Sequence, residues 1–348
     1  MPGFSLTRQV ILAGLEARAF PAASIEVGRV DGALWRESFG RLTYDADAPA
    51  CVPETIFDLA SLTKVIATAS IAMRLVSDGW LSLEAPAAEL VPAFREGDRA
   101  SVTIRHLLTH SSGLPAHARL WESTRGRDAY ERALASLPLE RAPGAASVYS
   151  DPGFLVLGFA IEALARAPLD AQFEPIAETL GDVMYLPPAE LIHQIAPTGF
   201  DPWRGRLLRG EVHDENAAAL GGVAPHAGLF GTARGVGEFA RLVLRTFGEG
   251  TILGTPATMR EFARRSAVPG SSRALGWDTM LPTSSCGTRL SPTAIGHTGF
   301  TGTSLWIDEE SDLYVVLLTN RVHPTREHNA LAALRPKVHD AVAADLSL

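Results

Sequence analysis

The sequence predicts an α/β fold of the α+β kind: an antiparallel sheet built from the two ends of the chain, flanked by N- and C-terminal helices, with a mostly helical lobe inserted between them. Three observations predict it. A hairpin pattern fills residues 24–40, strand character returns only at 303–307 and 313–319, and the apolar residues in between recur at helical spacing. The expected division is a sheet lobe from residues 1–60 plus 270–348 and a helical lobe from 61–269. The crevice between two such lobes is where ligands preferentially bind.

The elements follow in order. Val10, Ile11, Ala13, Gly14, Leu15 and Ala17 between polar positions predict a first helix over 5–19. After Pro21, Ser24 to Val30 and Ala33 to Gly40 flank Asp31-Gly32, a pair that supplies the positive φ of a tight hairpin turn. A Pro- and Asp-rich loop over 41–58 leads to the longest helical pattern. There Leu62, Val65, Ile66, Ala69, Ala72, Met73 and Val76 share one face, and Asp78-Gly79 ends the segment. A helix is expected to start near Thr103 and to break at Gly113 and Pro115. Further helices are expected over 127–137, 153–166, 170–180 and 232–247, and a closing helix over 325–345.

Composition bounds the function. At 348 residues, 46% hydrophobic and 20% charged, the chain has globular composition and room for a sizeable core. Its 39 acidic against 31 basic residues give a net charge of −8, which argues against a nucleic-acid surface. The N-terminal residues 1–10 lack a basic patch followed by a long apolar run, so no secretory leader is expected; the apolar runs elsewhere are short for a membrane span. Cys51 and Cys286 are far apart and are expected to be buried, reduced thiols. A cytoplasmic protein without nucleic-acid or membrane partners is the expectation.

Chemistry concentrates at the start of the longest helix. Ser61 and Lys64 are three residues apart there, so the lysine ammonium can reach the serine hydroxyl. A serine hydroxyl becomes an effective nucleophile only with a neighbouring base or cation, helped by the positive end of a helix. His106 and His110 have the i,i+4 spacing of a zinc pair, but no Glu lies between them in the H-E-x-x-H manner and no third ligand is evident, so no metal site is assigned.

Three motifs in order, Ser61-Leu62-Thr63-Lys64, Tyr149-Ser150-Asp151 and His297-Thr298-Gly299, resemble the S-x-x-K, Y-x-N and K/H-T-G motifs of the penicillin-recognising serine hydrolases. The flanks Phe57 to Ser61, Ile104 to Pro115 and Gly228 to Ala233 resemble the branch holding class C β-lactamases, D,D-carboxypeptidases, D-aminopeptidases and lactamase-like esterases. The resemblance spans about residues 20–325. It implies the β-lactamase/penicillin-binding-protein transpeptidase-like fold and an acyl-enzyme on Ser61, with Lys64 cationic beside it. It further implies Tyr149 as general base and then acid, its pKa lowered from about 10 by nearby positive charge. The backbone N–H groups of Ser61 and Phe300 would form the oxyanion hole. His297 joins the catalytic set, and Asp151, Thr298 and Gly299 are substrate-binding positions. No cofactor and no metal is implied; the partner is a small-molecule ester, D-amino-acid peptide or β-lactam.

Two positions depart from the family pattern. Asp151 stands where an Asn is usual, replacing a donor-acceptor by a group that, ionised, only accepts; it would pair with Lys64 or attract a cationic amine, and repel anionic substrates. His297 replaces the class C lysine, so positive charge there would fade near neutral pH. Both changes weaken the case for an efficient β-lactamase. The stretch Glu211 to Ala217, with Gly221 to Gly228, is similar to lactamase-like proteins associated with peptidoglycan recycling; His213, Asp214 and His226 are expected to stabilise that loop by hydrogen bonds, with lining the cleft or binding a metal as the alternatives. The first functional reading is a serine hydrolase. A penicillin-binding sensor that stays acylated, or a catalytically silent binding protein, are the alternatives.

Overall fold

In the computed structural model, which describes residues 3–348, the two ends of the chain meet in one six-stranded sheet. The first two residues of the expected sheet lobe, Met1 and Pro2, lie outside the described residues. The strands are β1 (Ala22–Arg29), β2 (Gly32–Gly40), β3 (Asp278–Thr279), β4 (Ile295–Thr298), β5 (Ser304–Asp308) and β6 (Leu313–Thr319). Their spatial order is β2-β1-β6-β5-β4-β3, antiparallel throughout, so β1 and β6 join the termini with Ile25 opposite Leu317.

Every residue of β6 is buried because the sheet is covered on both faces. One face carries Ala23, Ile25, Val27, Val315 and Leu317 against Phe4 and Ile11 near the N-terminal helix (Ser5–Glu16) and Leu331, Val338 and Val342 of the C-terminal helix (Ala330–Asp345). The other carries Leu305, Ile307, Tyr314, Val316 and Leu318 into the larger core shared with the helices. Burial on both sides explains why this strand reads as a continuous apolar run rather than an alternating one. On the second face the helix Ala233–Gly248, which belongs to the segment expected as the helical lobe, packs on β1 and β6. Its Arg241 pairs with the fully buried Glu26 at 2.9 Å, and Tyr314 donates to the same carboxylate at 2.7 Å. A Cβ at Gly237 would collide with that carboxylate, so the helix approaches the sheet only as glycine there.

The structure differs from the sequence expectation in several places. Strands β3 and β4 precede the expected return of strand structure at 303. Strand β4 is four residues containing a glycine and a histidine, too short to show a period; Gly296 is required because a Cβ would strike the Trp306 ring. A small sheet joins Phe57–Asp58, Leu229–Gly231 and Val183–Tyr185, two- and three-residue pieces that are equally silent in sequence. The helix after Thr103 ends at Leu108, with His110 at φ 55°, before Gly113 is reached. The closing helix starts at Ala330 rather than 325.

The long helix expected from 61 to 79 is composite. A 3₁₀ turn, Ala60–Leu62, passes into a π-helical stretch, Lys64–Ala69, and only then into α-helix, Ser70–Ser77. Such π insertions cost hydrogen-bond geometry and recur at functional sites. Residues 60–77 are long and apolar enough to cross a membrane by length and composition, yet most of them are buried inside the molecule as the axis of its larger core. Both cysteines are free and buried.

Candidate active site

The start of the composite helix is fixed from two sides. Asp58 is buried, and its carboxylate accepts the backbone N–H groups of Ala60 at 2.8 Å and His213 at 2.6 Å. Burial nevertheless pushes its pKa up to about 6. Thr301 and Thr303 donate their hydroxyls to the carbonyls of Asp58 and Leu59 at 2.7 and 3.0 Å, which ties this segment to the turn after β4. Gly299 lies between the two; a Cβ there would meet Thr303 Oγ1 and the Leu59 carbonyl. Ala60 is held at φ 46°, a left-handed conformation costing about 1–3 kcal/mol for a residue with a side chain, directly before Ser61.

Lys64 is fully buried one turn further on. Its Nζ donates to Ser61 Oγ at 3.2 Å and to the His226 carbonyl at 3.0 Å, and lies 2.7 Å from Asp151 Oδ1 as an ion pair rather than an aligned hydrogen bond. Burial disfavours the ammonium, but Asp151 and Tyr149 outweigh it and the lysine pKa is raised. Lys64 is therefore a cation and has no lone pair with which to act as a base.

Asp151 reaches this point because Ser150 caps a helix. Ser150 Oγ accepts the Gly153 N–H at 3.0 Å and starts the helix Asp151–Ala165, with Pro152 in its first turn. Tyr149 and Asp151, on either side of the cap, both line the cleft. Burial works against the Asp151 carboxylate, yet Lys64 and His117, whose Nδ1 is 3.0 Å from Oδ2, hold it well below the usual carboxylate range. The Asp151 charge is engaged by Lys64 on one oxygen and by the His117 ring on the other.

The Tyr149 ring packs against His110 at 4.6 Å and His297 at 5.7 Å between centroids, with the Arg273 guanidinium 5.1 Å from its centre. Its pKa is raised rather than lowered, contrary to the sequence expectation: burial is the largest cause, and Asp151 offsets part of the effect of Lys64. His297 is buried on β4 with its Nδ1 2.9 Å from the Thr298 carbonyl, so the proton sits on Nδ1. Burial, then Arg273 and Lys64, push its pKa well below the ordinary value, and the ring is neutral. His110 accepts the Ser150 N–H at 3.0 Å, while His106 accepts the Thr103 N–H at 3.2 Å in a capping box. The two histidines at zinc-pair spacing are thus engaged separately.

Among the described residues, the N–H groups of Ser61 and Phe300 donate to no protein acceptor. They border a cleft of about 510 Å³ lined also by Tyr149, Asp151, Thr298 and Gly299. The 211–228 stretch both stabilises its own loops and reaches the site. Asp214 caps the helix Glu215–Ala219 and pairs with His226 at 2.8 Å, and the His213 ring stacks on Phe300 at 5.7 Å, its pKa lowered by burial to about 4. Sequence reasoning missed His117, Arg273, Arg321 and Arg335, which line the same cleft. A signal existed for Arg335: it falls in phase with Leu331, Val338 and Val342 on the buried face of its helix.

A family model described as Beta-lactamase matches residues 7–339. A Salmonella paratyphi B protein described as a putative D-alanyl-D-alanine carboxypeptidase is 32% identical over 305 residues, covering 77% of this chain and 70% of that protein. Among solved structures, a penicillin-binding protein homolog from Caulobacter crescentus superposes with a TM-score of 0.79 at 19% identity, covering 98% and 97% of the two chains. EstCE1, a hydrolase with promiscuous acyltransferase activity, superposes with a TM-score of 0.77 at 22% identity, covering 97% of each. These structures share the fold.

Proposed function

The chain belongs to the beta-lactamase family, and from that premise we propose that it is a serine hydrolase cleaving an ester or amide of a small molecule through an acyl-enzyme on Ser61. The observation that carries the reading is Lys64, fully buried, with its Nζ 3.2 Å from Ser61 Oγ and paired to Asp151. Ser61 Oγ attacks the carbonyl carbon, and its proton passes to the Tyr149 phenolate. The oxyanion is received by the N–H groups of Ser61 and Phe300. Tyr149 returns the proton to the leaving oxygen or nitrogen, and water then repeats the cycle on the acyl-enzyme. Lys64 stays protonated and stabilises the phenolate, while Thr298, Gly299 and Asp151 border the substrate and neutral His297 flanks Tyr149.

Because the Tyr149 pKa is raised, the phenolate is scarce at neutral pH and the rate should climb with pH into the alkaline range. The same observation favours a second reading, a sensor whose acyl group persists. Substrate arms are a neutral carboxylic ester, a β-lactam and a D-alanyl peptide, the last suggested by the description of the Salmonella relative. The test is turnover of p-nitrophenyl acetate, nitrocefin and D-alanyl-D-alanine, together with labelling by a serine-directed phosphonate, in wild type and Ser61→Ala. Loss of both labelling and turnover in the variant is expected. Labelling retained at the wild-type rate would remove Ser61 from the role.

A further inference from the structure

Two arginines that line the cleft have no acidic partner among the described residues. Arg321 follows β6 and Arg335 lies on the C-terminal helix; each is 9% exposed. Among the described residues neither forms a salt bridge, although the other cleft arginines do or lie beside a carboxylate: Arg119 with Glu122, Arg326 with Glu215, Arg273 with Asp278 at 4.0 Å. Arg321 donates to the His328 carbonyl at 2.9 Å and lies 4.7 Å over the Phe300 ring. Arg335 donates only to the Thr303 carbonyl, at a long 3.4 Å, and its buried Nε has no partner at all.

Among the described residues, no carboxylate behind the pair compensates it. One turn along the helix, His339 is buried with both ring nitrogens unpartnered, and burial together with Arg335 pushes its pKa down to about 3. Burial and the neighbouring Arg321 likewise lower Arg335, to about 10, which leaves it protonated at neutral pH. Buried cations persist in folded proteins when an opposite charge and hydrogen-bond acceptors meet them, and the guanidinium fork matches a carboxylate or phosphate. Gly302, at φ 113°, packs the turn tightly against the end of β6, since a Cβ there would collide with Thr319 Oγ1 and meet the Arg321 stem at 2.9 Å.

We propose that Arg321 and Arg335 form an anion-binding subsite of the cleft, taking a carboxylate or phosphate group carried by the substrate and anchored on the same 299–303 turn that presents the Phe300 N–H. That the anion belongs to a substrate rests on the reading of Ser61 as nucleophile; that an anion binds does not. The subsite makes the preferred substrate a molecule with an ester or amide at one end and an anionic group at the other, in place of a simple neutral ester.

The test separates the two claims. Calorimetric titration of the Ser61→Ala protein with succinate, inorganic phosphate and dimethyl succinate reads binding without turnover. Binding of succinate or phosphate, but not of the neutral diester, is expected, and which of the two binds identifies the anion. Arg335→Gln and Arg321→Gln should weaken it about tenfold or more, Arg335→Lys less, and Arg119→Gln, at the exposed rim, by no more than about twofold. In the wild type, kcat/KM for mono-p-nitrophenyl succinate relative to p-nitrophenyl butyrate should fall by a similar factor in Arg335→Gln, through KM. No binding of either anion, or equal binding in Arg335→Gln and Arg119→Gln, overturns the subsite. Should the Gln variants fail to fold, equal affinity of the Ser61→Ala protein for succinate and its dimethyl ester overturns it as well. Anion binding in a protein whose Ser61 proves unreactive leaves the subsite standing and removes the hydrolase.

Discussion

The two ends of the cleft handle charge in opposite ways. Around Ser61, Lys64 lies 2.7 Å from Asp151, and Asp151 is 3.0 Å from the His117 ring; beside the 299–303 turn, Arg321 and Arg335 have no acidic partner among the described residues. The compensated end is suited to work on a neutral carbonyl, because its charges already hold one another and leave Ser61 Oγ as the group offered to the substrate. The uncompensated end is suited to grip, because its desolvation is repaid only when an anion arrives. On the proposed reading, chemistry and recognition fall on different residues of one pocket, joined through the turn at 299–303.

The largest contrast comes from removing a cation at each end. Lys64→Ala should lower turnover by about 10²- to 10⁴-fold, as should Tyr149→Phe. Lys64→Ala should also cost about 3–5 kcal/mol of stability, since it strands a largely buried carboxylate. Arg335→Met, measured by denaturant unfolding without added anion, should leave stability unchanged or raise it, since it removes a buried charge with no acidic partner. Equal destabilisation by the two substitutions would break the comparison.

Asp151→Asn sharpens it next. The carboxylate raises both the Lys64 and the Tyr149 pKa, so its removal lets Lys64 stabilise the phenolate unopposed. The alkaline rise of kcat/KM should move to lower pH, on the order of one unit. An unmoved profile would mean that Tyr149 is not the titrating base.

Buried histidines at both ends set the pH dependence of stability. His110, His213, His297 and His339 all have pKa values lowered by burial, so below the ordinary value of 6.5 the unfolded chain binds protons that the folded one refuses. Stability then falls as pH drops from 7 to 5, by up to about 1.4 kcal/mol per unit for each such group. Asp58 opposes this. Raised to about 6, it is protonated in the folded state where the unfolded carboxyl is charged, and gains stability over the same descent. His106 and His323 are lowered by burial as well, while the raised His117 and Glu162 side with Asp58; six groups against three predict a lower Tm at pH 5 than at pH 7 by calorimetry, and a flat or inverted profile would mean that the histidines are hydrated. Least of all, His117→Ala should lower kcat/KM only about two- to fivefold, because that ring is mostly exposed and its contact with Asp151 is screened.

Local geometry explains what could be read from sequence. Ser61 and Lys64 meet because three residues make about one turn, and the 3₁₀ and π distortion does not undo that proximity. Tyr149 and Asp151 converge because Ser150 is a strong N-cap, and β1 pairs with β6 because both ends carry apolar strands. Strand β4 was hidden by its four residues and its glycine. His117 and Arg273 were hidden because their partners are contributed by other segments: Asp151 lies 34 residues from His117, and Tyr149 lies in a separate loop from Arg273. The direction of the Tyr149 shift depends on burial, which no spacing reports.

The central claim is the covalent step at Ser61, and time-resolved intact mass with peptide mapping tests it most directly. Wild-type protein mixed with p-nitrophenyl acetate and sampled within one turnover should gain one acetyl group on the peptide carrying Ser61 and lose it as product accumulates, while Ser61→Ala gains none. Product formation with no acyl group on that peptide, or the same adduct in Ser61→Ala, would contradict the account.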